Sequence, residues 1–358
     1  MRGNRINFAS FDLTKGIGIL MVVLTHTRAH LNWKSSAVLR FFTVLIRFIG
    51  PGTIPAFFMI SGWGFKYKSP PKMLKKTFFD LLVPYLYVML AYAILVPITY
   101  YPVYHSWEAS TAFATRYVVA FLFGFGPDCT TIFGYETMWC TAAWYLIALF
   151  VALNILNLIV QIKNHFVQIG CAILCPIIGA ILFHFNFVFY CIPQGLMAVG
   201  YCYLGYVFKK HGFLDQVQSP KCKWICLILL PVYFMEIMWG YFDLCQGLFH
   251  NVFLDYLGTG CCGILALLAT IYLGNFEWSC VGWIKKIGVY SYWIFSIHAV
   301  EMEAIPWYYL LNLTLPEHQF LAFMIECLFK TVIIATGCVL LRRISKRKYR
   351  RRMLRNGK

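Results

Sequence analysis

Three ionisable residues occupy one apolar run, FDLTKGIGILMVVLTH at residues 11–26: Asp12, Lys15 and His26. A carboxylate, an ammonium and an imidazole are groups that bind ions and move protons, and histidine is the side chain best suited to exchange a proton near neutral pH. On a helix, positions 15 and 26 share a face and lie about 16 Å apart along the axis. Asp12, one turn before Lys15, falls near that face. In a bilayer interior each such group costs a few kcal/mol unless it faces a polar cavity, so this face is expected to line one. Quieter readings stay open: Asp12 and Lys15 as interface residues, with the lysine snorkelling, and His26 as a packed histidine bonded to a carbonyl. A second group sits far along the chain, where His298 and Glu301 are neighbours on one helical face and Glu303 follows. The alternative there is a structural ion pair.

The elements that must hold these residues follow from composition. Of 358 residues, 60% are hydrophobic and 13% charged, with a mean hydropathy of +0.68, whereas soluble domains run near a quarter charged. The expected fold is all-α, a polytopic membrane protein of about ten transmembrane helices. The spans fall at 11–28, 40–63, 78–98, 142–161, 167–185, 187–208, 222–241, 254–273, 287–309 and 319–341. The run RYVVAFLFGFG at 116–126 is too short to cross alone and reads as a re-entrant or interfacial piece. With that choice, 24 of the 31 Lys and Arg residues fall on one face: Arg2 and Arg5, the 66–76 stretch, Lys163, the 209–223 loop, Lys285 and Lys286, and the tail from Arg342. The positive-inside rule then makes both termini cytoplasmic, in a multi-pass protein of the cell membrane. The net charge of +17 is accounted for by topology and anionic lipid, with no nucleic-acid partner. Residues 1–341 form the membrane domain, its first helix uncleaved, and 342–358 a basic cytoplasmic tail. The fourteen cysteines form no CxxC pair and no Cys/His cluster at zinc spacing, so no metal site is expected. Cys129 and Cys140 share a loop and could bridge in an oxidising compartment.

Five segments in order, FDLTKGIGILMVVLTH, IPAFFMISGWGF at 54–65, KKTFFDLLVPY at 75–85, AAWYLIALF at 142–150 and IGVYSYWIFSIH at 287–298, resemble the acyltransferase-3 family of integral-membrane (poly)saccharide O-acyltransferases. The resemblance covers almost the whole chain. It implies transfer of an acyl group, usually acetyl, from a cytoplasmic acyl-CoA to a hydroxyl of a cell-surface or lipid-linked glycan, with acetyl-CoA as co-substrate and no tightly bound cofactor. His26 matches the family's first-helix catalytic histidine, as general base or acyl carrier. Lys15 stands where the family usually has arginine, a point charge in place of a bidentate fork. The resemblance further implies that Lys72, Lys75 and Lys76 contact CoA phosphates, that Ser61 and Gly62 form a close-approach turn at the cytoplasmic end of the second helix, and that Tyr290, Ser291 and His298 match a ninth-helix pattern.

Several roles keep an alternative. The lysines also satisfy the positive-inside rule with no further function, and Gly62 and Gly64 also read as C-cap residues. Trp144 and Tyr145 read as an outer aromatic belt or as a sugar-stacking platform. Glu301 or His298 would orient His26 or the acceptor. The polar face would line a tunnel through the bilayer, its outer mouth covered by the 97–141 region, with Asp128 and Glu136 toward sugar hydroxyls. The competing function is a small-solute or amino-acid transporter using the same polar cavity. Inverted repeats, common in such transporters, are not seen in the sequence.

Overall fold

The computed structural model describes residues 6–31, 37–315 and 317–356, so Arg2 and Arg5 lie outside the described residues. A 3₁₀ turn at Phe8–Phe11, capped by Asn7 and Ser10, leads into α1 (Asp12–Ala29). α2 (Ala37–Ile49) and α3 (Thr53–Gly64) are joined through the Gly50–Gly52 turn. α4 (Pro70–Thr77) runs through a π-helical turn at Phe78–Leu82 into α5 (Val83–Tyr104). His105, at φ 51°, ends α5, and Ser106 caps α6 (Trp107–Phe123). The β1–β2 hairpin (Thr131–Ile132, Tyr135–Glu136) precedes α7 (Trp144–Ile159). Next come α8 (His165–His184), α9 (Ile192–Lys210) and α10 (Pro220–Trp239). A second hairpin, β3–β4 (Phe242–Asp243, Leu248–Phe249), leads to α11 (Val252–Leu273). The chain closes with α12 (Ser279–Val289), α13 (Ser291–Ala304), α14 (Trp307–Thr314) and α15 (Gln319–Asn356).

Among the described residues nine helical segments are long and apolar enough to cross a membrane: α1 with its leading turn, α2–α3, α4–α5, α7, α8, α9, α10, α11 and the Gln319–Arg343 part of α15. They match nine of the ten expected spans. The tenth, 287–309, is not one helix. It breaks at Tyr290 between α12 and α13 and ends at Ile305, which is extended (φ −105°, ψ 128°). Pro306 accounts for the second break, because proline disfavours helix in the residue before it. α13, at 14 residues, rises only about 21 Å, short of a 30 Å hydrocarbon core.

The 116–126 run belongs to α6, which folds back along α5. Trp107 stacks on Tyr101 at one end, Tyr92 meets Tyr117 midway, and Phe121 lies against Tyr85 at the other. Tyr85 also donates a 2.6 Å hydrogen bond to the Phe121 carbonyl. From Gly124, left-handed at φ 62°, the chain turns toward Cys191 and the first hairpin. The bridge open to Cys129 and Cys140 is not formed: both are free, Cys129 exposed and Cys140 buried.

Glycine sets the close contact of α3 with α9. A Cβ on Gly62 would collide with the Cys202 carbonyl of α9, and one on Gly205 with the Met59 carbonyl of α3. Small residues of this kind let membrane helices approach backbone to backbone. The sequence reading places a flexible turn at Gly62 for close approach of a ligand; the close neighbour of Gly62 is α9, and α3 continues as helix through Gly62 to Gly64. Gly62→Ala is expected to destabilise the protein by about 1–3 kcal/mol through overpacking, read as a lower melting temperature in detergent. An unchanged melting curve would mean that α3 and α9 separate freely.

Candidate active site

α1 and α13 bring His26 of the first polar group beside His298 of the second. The His26 and His298 rings lie 5.3 Å apart, centroid to centroid, and the Trp139 ring stands 6.1 Å from that of His26. His298 is fully buried and its Nδ1 lies 2.6 Å from Glu301 Oε1, one turn further along the same helix. A carboxylate only accepts, so Nδ1 carries the proton and Nε2 is the basic nitrogen. That Nε2 is buried and has no hydrogen-bond partner among the described residues. Glu301 is held from its other side: Trp307 Nε1 donates to Oε2 and to the Glu301 carbonyl, both at 3.0 Å. Tyr92 and Thr141 both donate to the Ala299 carbonyl at 3.1 Å, tying α13 to α5 and to the start of α7.

The cluster extends to residues that the sequence reading did not single out. Lys330 of α15 stands 3.8 Å from Glu301 Oε1 and 2.9 Å from Glu326 Oε1. His30, one turn beyond His26, places Nδ1 2.7 Å from the same Glu326 oxygen. Lys330 also lies 5.6 Å from the Trp307 ring centroid. Glu326 and Lys330 are 0% and 1% exposed. Their signal was present in the sequence: a Glu and a Lys four residues apart inside the last apolar run, where such a pair shares a face. Leu31, Leu39, Trp307, Leu311 and Phe323 form an apolar cluster where α1, α2, α14 and α15 meet.

The other expected residues lie elsewhere. Lys15 pairs with Asp12 at 2.6 Å and sits 4.7 Å from the Phe8 ring centroid, so the charge of α1's first turn is neutralised within α1. Ser61 donates to the Phe57 carbonyl at 2.9 Å and also meets the Tyr145 side chain. The Tyr145 ring packs against Phe58 and Phe295, and Trp144 is buried. The expected separation of Ser61 and Tyr145 onto opposite membrane faces is therefore corrected. α7 begins beside α3 because it has only 16 residues and its far end meets α4, where Asn154 donates to Thr77 at 2.9 Å.

Lys72, Lys75 and Lys76 share one exposed face of α4, opposite buried Met73 and Thr77, and Lys76 pairs with Asp80 at 2.6 Å. Asp128 and Glu136 are exposed; Glu136 holds Arg116 at 2.7 Å. The Tyr290 hydroxyl accepts from Arg342 at 3.0 Å, and Ser291 begins α13. Glu303 forms a separate branch, accepting from Tyr117 at 3.3 Å.

The sequence model of the acyltransferase-3 family, described as an acyltransferase domain, matches residues 8–343. The chain belongs to the acyltransferase-3 family. No curated protein and no solved structure matches it significantly. The protein is thus a membrane acyltransferase, and the match reaches from the turn before α1 past Lys330. For an acyltransferase, an imidazole with one nitrogen fixed by a carboxylate and the other unpaired is the arrangement from which a hydroxyl can be deprotonated.

Proposed function

We propose that the protein moves an acyl group, acetyl in the simplest case, from a cytoplasmic acyl-CoA to a hydroxyl of a cell-surface or lipid-linked glycan. The observation that carries this reading is His298: buried, oriented by Glu301 and presenting a partnerless Nε2 beside His26. Nε2 takes the proton of the acceptor hydroxyl as its oxygen attacks the thioester carbonyl. The His26 N–H faces the oxyanion that forms, the C–S bond breaks, and the departing CoA thiolate receives the proton from His298. The proton inventory closes without an added acid.

Two carboxylates, Glu301 and Glu326, face one ammonium, Lys330. A buried group of charges is least costly when its members are paired and hydrogen-bonded, and His30 Nδ1, 2.7 Å from Glu326 Oε1, adds a polar partner to the carboxylate that Lys330 holds. Lys72, Lys75 and Lys76 form a basic face for CoA phosphates, which charged hydrogen bonds and a local positive field attract.

The test is to incubate the purified protein in lipid vesicles with radiolabelled acetyl-CoA and cell-envelope glycan. Label is expected to reach the glycan only when the protein is present. Replacing Lys72, Lys75 and Lys76 together with Gln is expected to raise the KM for acetyl-CoA about tenfold, equivalent to about 1.4 kcal/mol, with kcat little changed. An unchanged KM would leave these lysines as topology signals alone. Absence of protein-dependent label transfer to any glycan would overturn the acceptor assignment.

A further inference from the structure

α10 stands apart from the bundle. It packs chiefly on α11, and only Cys222, Glu236 and Ile237 of its twenty residues are buried. Between it and the α1–α3 side lies a cavity of about 1,020 Å³, at the upper end of ordinary ligand pockets. Its wall is set back by small side chains, including Gly52, Ala266 and Ala269. One end is polar and basic, with exposed Gln218 and Lys223. The other end is apolar and is closed where the Tyr233 hydroxyl donates to the Phe48 carbonyl at 2.7 Å.

Lys223 and Tyr233 are ten residues apart on one helix, which makes the slot about 15 Å deep. That is half of a 30 Å hydrocarbon core, the depth of one leaflet. The slot therefore has the length of a lipid chain and a cation where that lipid's headgroup would lie. It is not a branch of the acyltransfer site: α1 contributes Thr14, Ile17 and Gly18 to it, and neither Lys15, His26, His298 nor Glu301 lines it. A chain held here cannot present a carbonyl to His298.

We propose that this slot holds one acyl chain of an anionic phospholipid from the leaflet on the lysine-rich side, with the headgroup on Lys223. The lipid fills the gap beside α10 and fastens that helix to the bundle.

The test measures bound lipid and does not depend on acyl transfer, so its failure is separate from failure of the proposed function. The protein is purified from vesicles containing equal phosphatidylglycerol and phosphatidylcholine, and retained lipid is quantified by native mass spectrometry. About one phosphatidylglycerol per chain is expected, in clear preference to phosphatidylcholine. Ala269→Trp, at an exposed position, fills the slot and should remove most of that lipid. Lys223→Gln leaves the slot open and should abolish the headgroup preference while keeping a chain bound. Equal retention of the two lipids by the parent protein overturns the proposal. So does phosphatidylglycerol retention unaffected by Ala269→Trp, or recovery of an acyl-CoA or a neutral lipid as the bound molecule.

Discussion

His298→Ala is expected to lower acyl transfer by two to four orders of magnitude, the usual contribution of a positioned general base. The loss should fall on kcat, because the side chain acts on the hydroxyl proton and not on CoA. His298 is fully buried, so turnover must be referred to folded protein, with melting measured alongside. Glu301→Gln offers the finer measurement. The amide oxygen still accepts from Nδ1, so orientation survives while the negative charge that stabilises the imidazolium is lost, and a partial fall in kcat is expected. His26→Ala should cost a hundredfold or more whether it stabilises the oxyanion or carries the acyl group. The two roles separate in an acid quench of the parent protein with labelled acetyl-CoA and no acceptor: a carrier keeps label on the chain, an oxyanion donor does not. If His26→Ala and His298→Ala both turn over like the parent, the imidazole pair does not perform the chemistry.

The largest stability effect is expected at Lys330. Lys330→Met preserves most of the volume but leaves Glu301 and Glu326 without their shared ammonium. Removing one partner of a buried ion pair costs about 3–5 kcal/mol, because the remaining charge stays out of water and uncompensated. The melting temperature should drop sharply. Lys330→Met combined with Glu326→Gln should recover much of the loss, since the second change removes the charge that the first exposed. A double variant as unstable as the sum of the two single changes would show that Lys330 and Glu326 act independently. A Lys330→Met protein that melts like the parent would remove the lysine from the network altogether.

Much of this was legible in the sequence, for reasons that vary by residue. Nine spans could be read because an apolar run of twenty residues has few alternatives to a membrane helix. His26, His298 and Glu301 stood out for the same reason inverted, as ionisable groups in runs where they are costly. Their meeting could not be read, since nothing local in FDLTKGIGILMVVLTH says which of the other helices α1 will face. Glu326 and Lys330 are hard to see in the last run because its average hydropathy hides two charges of opposite sign. The 287–309 span failed on local chemistry: Pro306 was visible, and its effect on Ile305 decides where α13 ends. The meeting of Ser61 and Tyr145 could not be read, because the depth at which α7 starts depends on α6 and the loop after it, and hydropathy carries no depth.

The glycine contact between α3 and α9 also governs how the chain is made. Gly62 and Cys202 are about 140 residues apart in the sequence, and at roughly 5–20 residues per second the ribosome needs on the order of ten seconds to cover that gap. Through that interval α3 waits in lipid without its partner. α1 waits longer still, since His26 meets His298 and His30 meets Glu326 only after nearly the whole chain has emerged. The charges of its first turn need not wait, because Asp12 and Lys15 satisfy each other within one helix. His26 must wait in the bilayer for α13, and His30 for α15. A lysine or arginine at either position would be a charge without a counter-ion for most of synthesis, whereas an imidazole can cross into the bilayer uncharged.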